Sequence, residues 1–315
     1  MDTDLVSARL RPREVTFTSA DVRLGGSLTV PDRASFAGVV MVGGSGPADR
    51  TNDGYFPAIQ RQLAGAGIAV LSYDKRGVGA SSGEWRDTTL AGLAGDALVA
   101  LDFLRAQPGV RVDDVGLFGH SEGGWVALHA AARAEVPWVI TNSCPGMTPA
   151  SQDRYALATV LRTDDLATQQ DIDSSLALYD RLIEAGRRDA DFAEATRIVG
   201  SAAAPSAFTE YYWADVDERL WEFLKRKQDH DPVPDALRLR CPHLAIFGAA
   251  DQLVPVVDSV HLFTAAACHP SRPLSATLTV RVFPGADHRI QTSGTIQLAP
   301  GYLQLLTRWI DRHGT

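Results

Sequence analysis

The chain is poor in the residues that would announce several kinds of protein. Three cysteines in 315 residues, Cys144, Cys241 and Cys268, are too few and too scattered for a disulfide framework or a zinc site, and they read as free buried thiols. Lysine is scarcer still for a chain this long: only Lys75, Lys225 and Lys227 are present, the other cations being arginines. With abundant alanine, this composition suggests a GC-rich bacterial source. No Lys/Arg block occurs, and a formal charge of −8 with a pI near 5.5 argues against a nucleic-acid partner. No apolar run is long enough to cross a bilayer, and residues 1–15 carry acids without the apolar stretch of a secretion signal. The expectation is a cytoplasmic protein with no membrane partner. A GxxxxGK[ST] loop, a GxGxxG following a strand and an HExxH pair are all missing, so no cofactor and no metal is expected.

What is present is ordinary for a large soluble fold: 45% hydrophobic and 22% charged residues, enough to bury a substantial core. Glu14–Thr18 alternates as a strand, and Val22–Val30 reads as a hairpin turning at Gly25-Gly26. From Gly38 onward strands and helices alternate. The expected strands are Val39–Val42, Ile68–Tyr73, Val115–Phe118 and Trp138–Asn142, then His243–Phe247 and Thr277–Phe283. Helices are expected over Phe56–Ala66, Leu90–Ala106, the run after Ser121, Val256–Ala267 and Tyr302–Arg312. Near-continuous apolar strands separated by helices imply an α/β fold, a mostly parallel sheet covered on both faces. Residues 144–240 break the alternation: Ser151–Gly186, Asp191–Gly200 and Ala207–Gln228 read as helices, with no strand between them. This predicts a core of residues 1–143 and 241–315 and a helical insertion over 144–240. Acid pairs there, Asp164-Asp165 and Asp171/Asp173, read as solvated helix faces rather than chemistry.

The chemistry concentrates at Val115-Gly-Leu-Phe-Gly119-His120-Ser121-Glu122-Gly123-Gly124, a strand running into an Ala-rich helix through G-x-S-x-G. A serine on so tight a turn is lifted above the end of the sheet, and the N–H after it, on Glu122, can face a developing oxyanion. A second match, Gly79-Ala80-Ser81-Ser82-Gly83, lies in a polar turn-rich segment and reads as a loop serine. A serine hydroxyl needs a base, and the base an orienting acid. Two later strands exit into suitable loops: His243–Phe247 into Gly248-Ala-Ala-Asp251, and Thr277–Phe283 into Pro284-Gly-Ala-Asp287-His288. The order Ser121, Asp251, His288 is that of a hydrolase triad. Asp287 and Asp258 are the alternative acids. His120 and the Glu122 side chain, flanking Ser121, read as structural or pocket-lining. A further oxyanion donor is expected from Gly43-Gly44-Ser45-Gly46, with the Ser45 N–H as candidate.

These motifs, with Gly44-Ser45-Gly46-Pro47-x-Asp49-Arg50 and Tyr73-Asp74-Lys75-Arg76-Gly77-x-Gly79-x-Ser81, resemble the α/β-hydrolase superfamily across nearly the whole chain. The resemblance is to its bacterial serine esterase branch, near the serine-aminopeptidase-like and acyl-thioester-hydrolase-like hydrolases. Serine rather than aspartate at the elbow separates the chain from the dehalogenases and epoxide hydrolases of that fold. The resemblance implies acyl transfer to water through an acyl-Ser121 intermediate. His288 would be base then acid, Asp251 its orienting partner, Asp74–Gly77 scaffold, and residues 144–240 a cap over the serine. The implied partner is a small-molecule acyl substrate; no expectation about oligomeric state follows. Phe208, Tyr211, Tyr212, Trp213, Trp221 and Phe223 crowd the insertion. Tyr211, Tyr212 and Trp213 are the candidate substrate-binding residues, which would favour an apolar or aromatic substrate group. An ester, thioester or lactone hydrolase is the leading expectation. An acyltransferase or cyclase using the same acyl-enzyme is the first alternative, and a non-catalytic ligand-binding protein the second.

Overall fold

The computed structural model describes residues 12–163, 167–201 and 208–314. Eight strands, β1 (Arg13–Ser19), β2 (Val22–Thr29), β3 (Phe36–Val42), β4 (Ala69–Tyr73), β5 (Val110–His120), β6 (Val139–Asn142), β7 (His243–Gly248) and β8 (Leu278–Phe283), form one sheet in the order β1-β2-β4-β3-β5-β6-β7-β8. β2 runs antiparallel to both β1 and β4, and every other pairing is parallel. β3, β4, β6 and β7 are buried at every position, as strands covered on both faces must be.

The helices are α1 (Phe56–Gly65), α2 (Leu90–Arg105), α3 (Glu122–Ala131), α4 (Pro149–Thr163), α5 (Gln169–Arg187), α6 (Phe192–Ser201), α7 (Glu218–Lys227), α8 (Val233–Arg238), α9 (Val256–Ala267) and α10 (Tyr302–His313). Strand alternation divides the core. Val40 and Val42 of β3 pack with residues of α2, α3 and α9, whereas Val39 and Met41 pack with α1 and α10. Helices α4 to α8 lie between the neighbouring strands β6 and β7; α4 to α7 carry a core of their own, built around Leu157, Tyr179, Phe208, Trp213 and Trp221, whereas α8 packs into the core of the sheet through Ala236.

Five readings change, the first being that the Ser151–Gly186 stretch is two helices, α4 and α5, the second capped by Thr168. The hairpin turns at Ala20-Asp21, with Ala20 at φ +52°, and β2 continues through both glycines. Their missing side chains make room: a Cβ on Gly25 would stand 2.5 Å from the Ala80 Cβ, and one on Gly26 2.8 Å from the Ser72 carbonyl oxygen. The Ala207–Gln228 helix is broken. A π-helical turn at Thr209–Trp213 ends before Asp217, whose side chain accepts from the Leu220 N–H (2.7 Å) and starts α7 afresh. Helix α8 was not foreseen, and Cys268 is exposed whereas Cys144 and Cys241 are buried. Asp164, Asp165 and Ala207 lie outside the described residues.

Candidate active site

β5 ends at His120 and α3 begins at Glu122, leaving Ser121 alone between them at φ +54°, ψ −122°. That conformation is strained for a residue with a side chain and persists only where its surroundings enforce it. Here the Ser121 N–H donates to the Asn142 carbonyl (2.9 Å), and the Ser121 carbonyl accepts from the Gly124 N–H (2.8 Å). The flanking glycines are dictated by closeness. A Cβ on Gly119 would run into the Gly123 carbonyl, and one on Gly123 into the carbonyls of Val42 and Gly43. Ser121 is half-buried and lines a cleft of about 400 Å³ together with Gly44, Ser45, His120 and His288. Ser81, by contrast, is buried in its loop, donating to the Asp74 carbonyl (2.7 Å) and accepting from the Gly25 N–H (3.0 Å).

The loops after β7 and β8 are stitched together by the Ala249 N–H on the Phe283 carbonyl and the Ala250 N–H on the Ala286 carbonyl. This brings Asp251 to His288. One Asp251 oxygen accepts from the N–H groups of Leu253 (2.8 Å) and Val254 (3.0 Å), and the other accepts from His288 Nδ1 at 2.8 Å. With its proton on Nδ1, the imidazole presents a bare Nε2. Asp287 instead holds its own turn, accepting from the N–H groups of Arg289 and Gln291, and Asp258 is exposed on the first turn of α9.

A second network, absent from the sequence reading, centres on Asn52. Its Oδ1 accepts from the Gly44 N–H (3.0 Å), which fixes the amide orientation and points Nδ2 at His120 Nδ1 (3.0 Å). His120 must therefore carry its proton on Nε2, which donates to the His288 carbonyl (3.3 Å). Burial, reinforced by His288, pushes His120 well below the usual imidazole range, so it stays neutral. The available signal was the run Asn52-Asp53-Gly54, three residues that tolerate positive φ and here all adopt it. Asn52 thus connects the Gly44–Ser45 loop to the backbone of His288.

The Glu122 side chain is enclosed, one oxygen accepting from Lys75 Nζ (2.9 Å) and the other from Lys227 Nζ (2.7 Å) of α7. Burial alone would raise its pKa, but Lys227 and Lys75 outweigh that and hold the carboxyl at about 2. Asp153 of α4 also lines the cleft, and there desolvation pushes its carboxyl up to about 6. Tyr211 and Tyr212 line the cleft as well. Trp213, expected beside them, is buried instead in the core of the helical segment, stacked on Phe192 and edge-on to Trp221. Among the described residues, the group whose ligand-type atoms could hold a metal is His129, His230 and Asp235, whose atoms lie within 4.8 Å of one another. Asp235 there pairs with His129 (2.8 Å) and Arg133 (2.6 Å), tying α8 to α3.

A doubly covered sheet with serine at its central strand-to-helix elbow is a widespread arrangement, and comparison with known proteins assigns it. The profile of the alpha/beta hydrolase family matches residues 39–297, most of the chain. The chain belongs to the alpha/beta hydrolase family. Among curated relatives, it is 24% identical over 242 residues to the mitochondrial palmitoyl-protein thioesterase ABHD10 of Homo sapiens, covering 76% of this chain and 64% of that protein's length. It is 27% identical over 240 residues to esterase EstD of Thermotoga maritima, covering 75% and 52%. This alpha/beta hydrolase also superposes on the structure of DcsB in complex with its substrate analogue (TM-score 0.65, 15% identity, 96% and 99% of the two chains). Its likeness to the proline iminopeptidase of Mycobacterium smegmatis is close to that (TM-score 0.62, 16% identity, 96% and 98%). At such identities the structural likenesses speak to the fold. Among the described residues no helix is long and apolar enough to cross a membrane.

Proposed function

We propose that this protein is a serine hydrolase that cleaves a carboxylic ester or thioester through an acyl-Ser121 intermediate. The observation that carries the reading is the His288–Asp251 pair at 2.8 Å opening onto the same cleft as Ser121 at its strained elbow. His288 Nε2 takes the Ser121 proton as Oγ attacks the acyl carbon, while Asp251 holds the tautomer and balances the imidazolium. The oxyanion is met by the N–H groups of Ser45 and Glu122. Neither is committed elsewhere: Glu122 opens a helix, and among the described residues no acceptor takes the Ser45 N–H. Collapse expels the alcohol or thiol with the proton from His288, and water activated by the same imidazole releases the acid. The names of ABHD10 and EstD, a thioesterase and an esterase, support this bond class. Helices α4 to α8 act as a cap, offering Tyr211 and Tyr212 to the bound substrate.

The test is turnover of p-nitrophenyl and acyl-thioester panels, with products identified by mass spectrometry. Free acid and alcohol or thiol are expected, with Ser121→Ala slowed by about 10⁶. A product in which the acyl group sits on another substrate group would replace hydrolysis by acyl transfer.

A further inference from the structure

Two of the three lysines in this chain are buried on one glutamate, and that glutamate follows the elbow serine. Lys75 is 7% exposed, Lys227 9% and Glu122 1%, so this is no solvated ion pair. Aromatic rings cover both ammonium groups: Trp85 lies 5.6 Å from Lys75 Nζ, and Phe223 5.0 Å from Lys227 Nζ. Glu122 has both oxygens occupied, and Asp153 of the cleft adds its own electrostatic pull on Lys227.

Lys75 makes one more bond, and it bears on the chemistry. Its Nζ donates to the Gly44 carbonyl at 2.6 Å. The Gly44 carbonyl and the Ser45 N–H belong to one planar peptide unit and, in the trans form, point in opposite directions. Anchoring the oxygen on Lys75 therefore turns the N–H the other way. Withdrawing electron density onto that oxygen also strengthens the N–H as a donor. Asn52 fixes the preceding peptide through the Gly44 N–H, so the loop is held on both sides of Gly44. The second donor, the Glu122 N–H, sits on the residue whose carboxylate neutralises Lys75.

We infer that Lys75 is a positioning residue of the oxyanion hole, orienting and polarising the Ser45 N–H through the Gly44 carbonyl, and that Lys227 of the helical segment supports it by holding the Glu122 carboxylate against Lys75. This rests on the hydrolase reading above. The Glu122 carboxylate, held ionised at about 2, keeps both lysines bound to it, and so holds Lys75 against the Gly44 carbonyl. Because Lys227 belongs to α7, seating of the helical segment and strength of the hole are one property.

Lys75→Met and Lys227→Met each leave one lysine paired with Glu122 and one Glu122 oxygen without its donor, so thermal unfolding is read beside the kinetics to separate lost stability from lost catalysis. The readouts are kcat and KM for p-nitrophenyl butyrate, the inhibition constant of an octyl trifluoromethyl ketone that forms a hemiketal on Ser121, and thermal unfolding. Lys75→Met is expected to lower kcat about tenfold to a hundredfold, less than the ~10²–10³ lost with a whole donor, with KM within about twofold. Its affinity for the ketone should fall by the same factor as kcat. Lys227→Met, which spares the Gly44 contact, should lose about three- to tenfold. Folded Lys75→Met with unchanged kcat overturns the inference. So does a kcat loss without any loss of ketone affinity, which would mark a merely structural lysine. A wild type that takes up no fluorophosphonate overturns the hydrolase reading itself, and the inference with it.

Discussion

Asp251 receives three hydrogen bonds and keeps one imidazole tautomer, and removing its charge while keeping its shape isolates that role. Asp251→Asn should lower kcat by about 10⁴, as expected when the base is held in the wrong tautomer, with KM little changed in steady-state kinetics. Asn52→Leu tests the second network. It strips the acceptor from the Gly44 N–H and the donor from His120, and an unsatisfied buried group costs about 1–3 kcal/mol. A melting temperature lowered accordingly, together with a reduced kcat, is the expected outcome. At this scale the sequence was legible where chemistry stands at a strand exit. Ser121, Asp251 and His288 each follow an apolar run that names its own strand. Asn52 and Lys227 were not legible, because their meaning lies in contacts made 68 and 105 residues away. No periodicity records such contacts.

The elements of the sheet were readable because each buried strand is a continuous apolar run and each helix carries a cap or a stripe. The hairpin was misread because glycine marks both turns and close approaches, and at Gly25 and Gly26 the second reason holds. The helical segment was harder to read: its aromatic crowd serves its own core as much as the cleft, so Trp213 is buried in that core, Tyr212 packs against it while lining the cleft, and Tyr211 is exposed. Its seat on the rest of the molecule is specific. Arg86 and Asp87 of the 3₁₀ turn Trp85–Asp87 pair with Asp217 (2.8 Å) and Arg219 (3.1 Å), and Trp85 packs edge-on to Phe223. Phe223→Ala empties a fully buried site at that junction and should cost about 3 kcal/mol in denaturant unfolding, with faster proteolysis within residues 144–240.

For the molecule as a whole, two buried groups and one half-buried group shape acid stability with different signs. His243, pushed down to about 3 by burial, and next by Arg272, favours the fold at neutral pH, and that stability is lost as pH falls from about 6.5 toward 3. Glu122, at about 2, contributes stability that is lost as pH falls from about 4.5 toward 2. Asp153 works the other way. Raised to about 6, it binds its proton more readily folded than unfolded, so its ionisation destabilises the fold above that pH. Asp153→Asn should therefore raise stability at pH 7 by up to about 3 kcal/mol, with most of the gain gone near pH 4, as read from melting curves across pH.

The account turns on a single activated serine. Intact-mass analysis after fluorophosphonate treatment of wild type, Ser121→Ala and Ser81→Ala tests it directly. One adduct on wild type and on Ser81→Ala, and none on Ser121→Ala, is the predicted result. An adduct that survives Ser121→Ala, or no adduct on folded wild type, would contradict it.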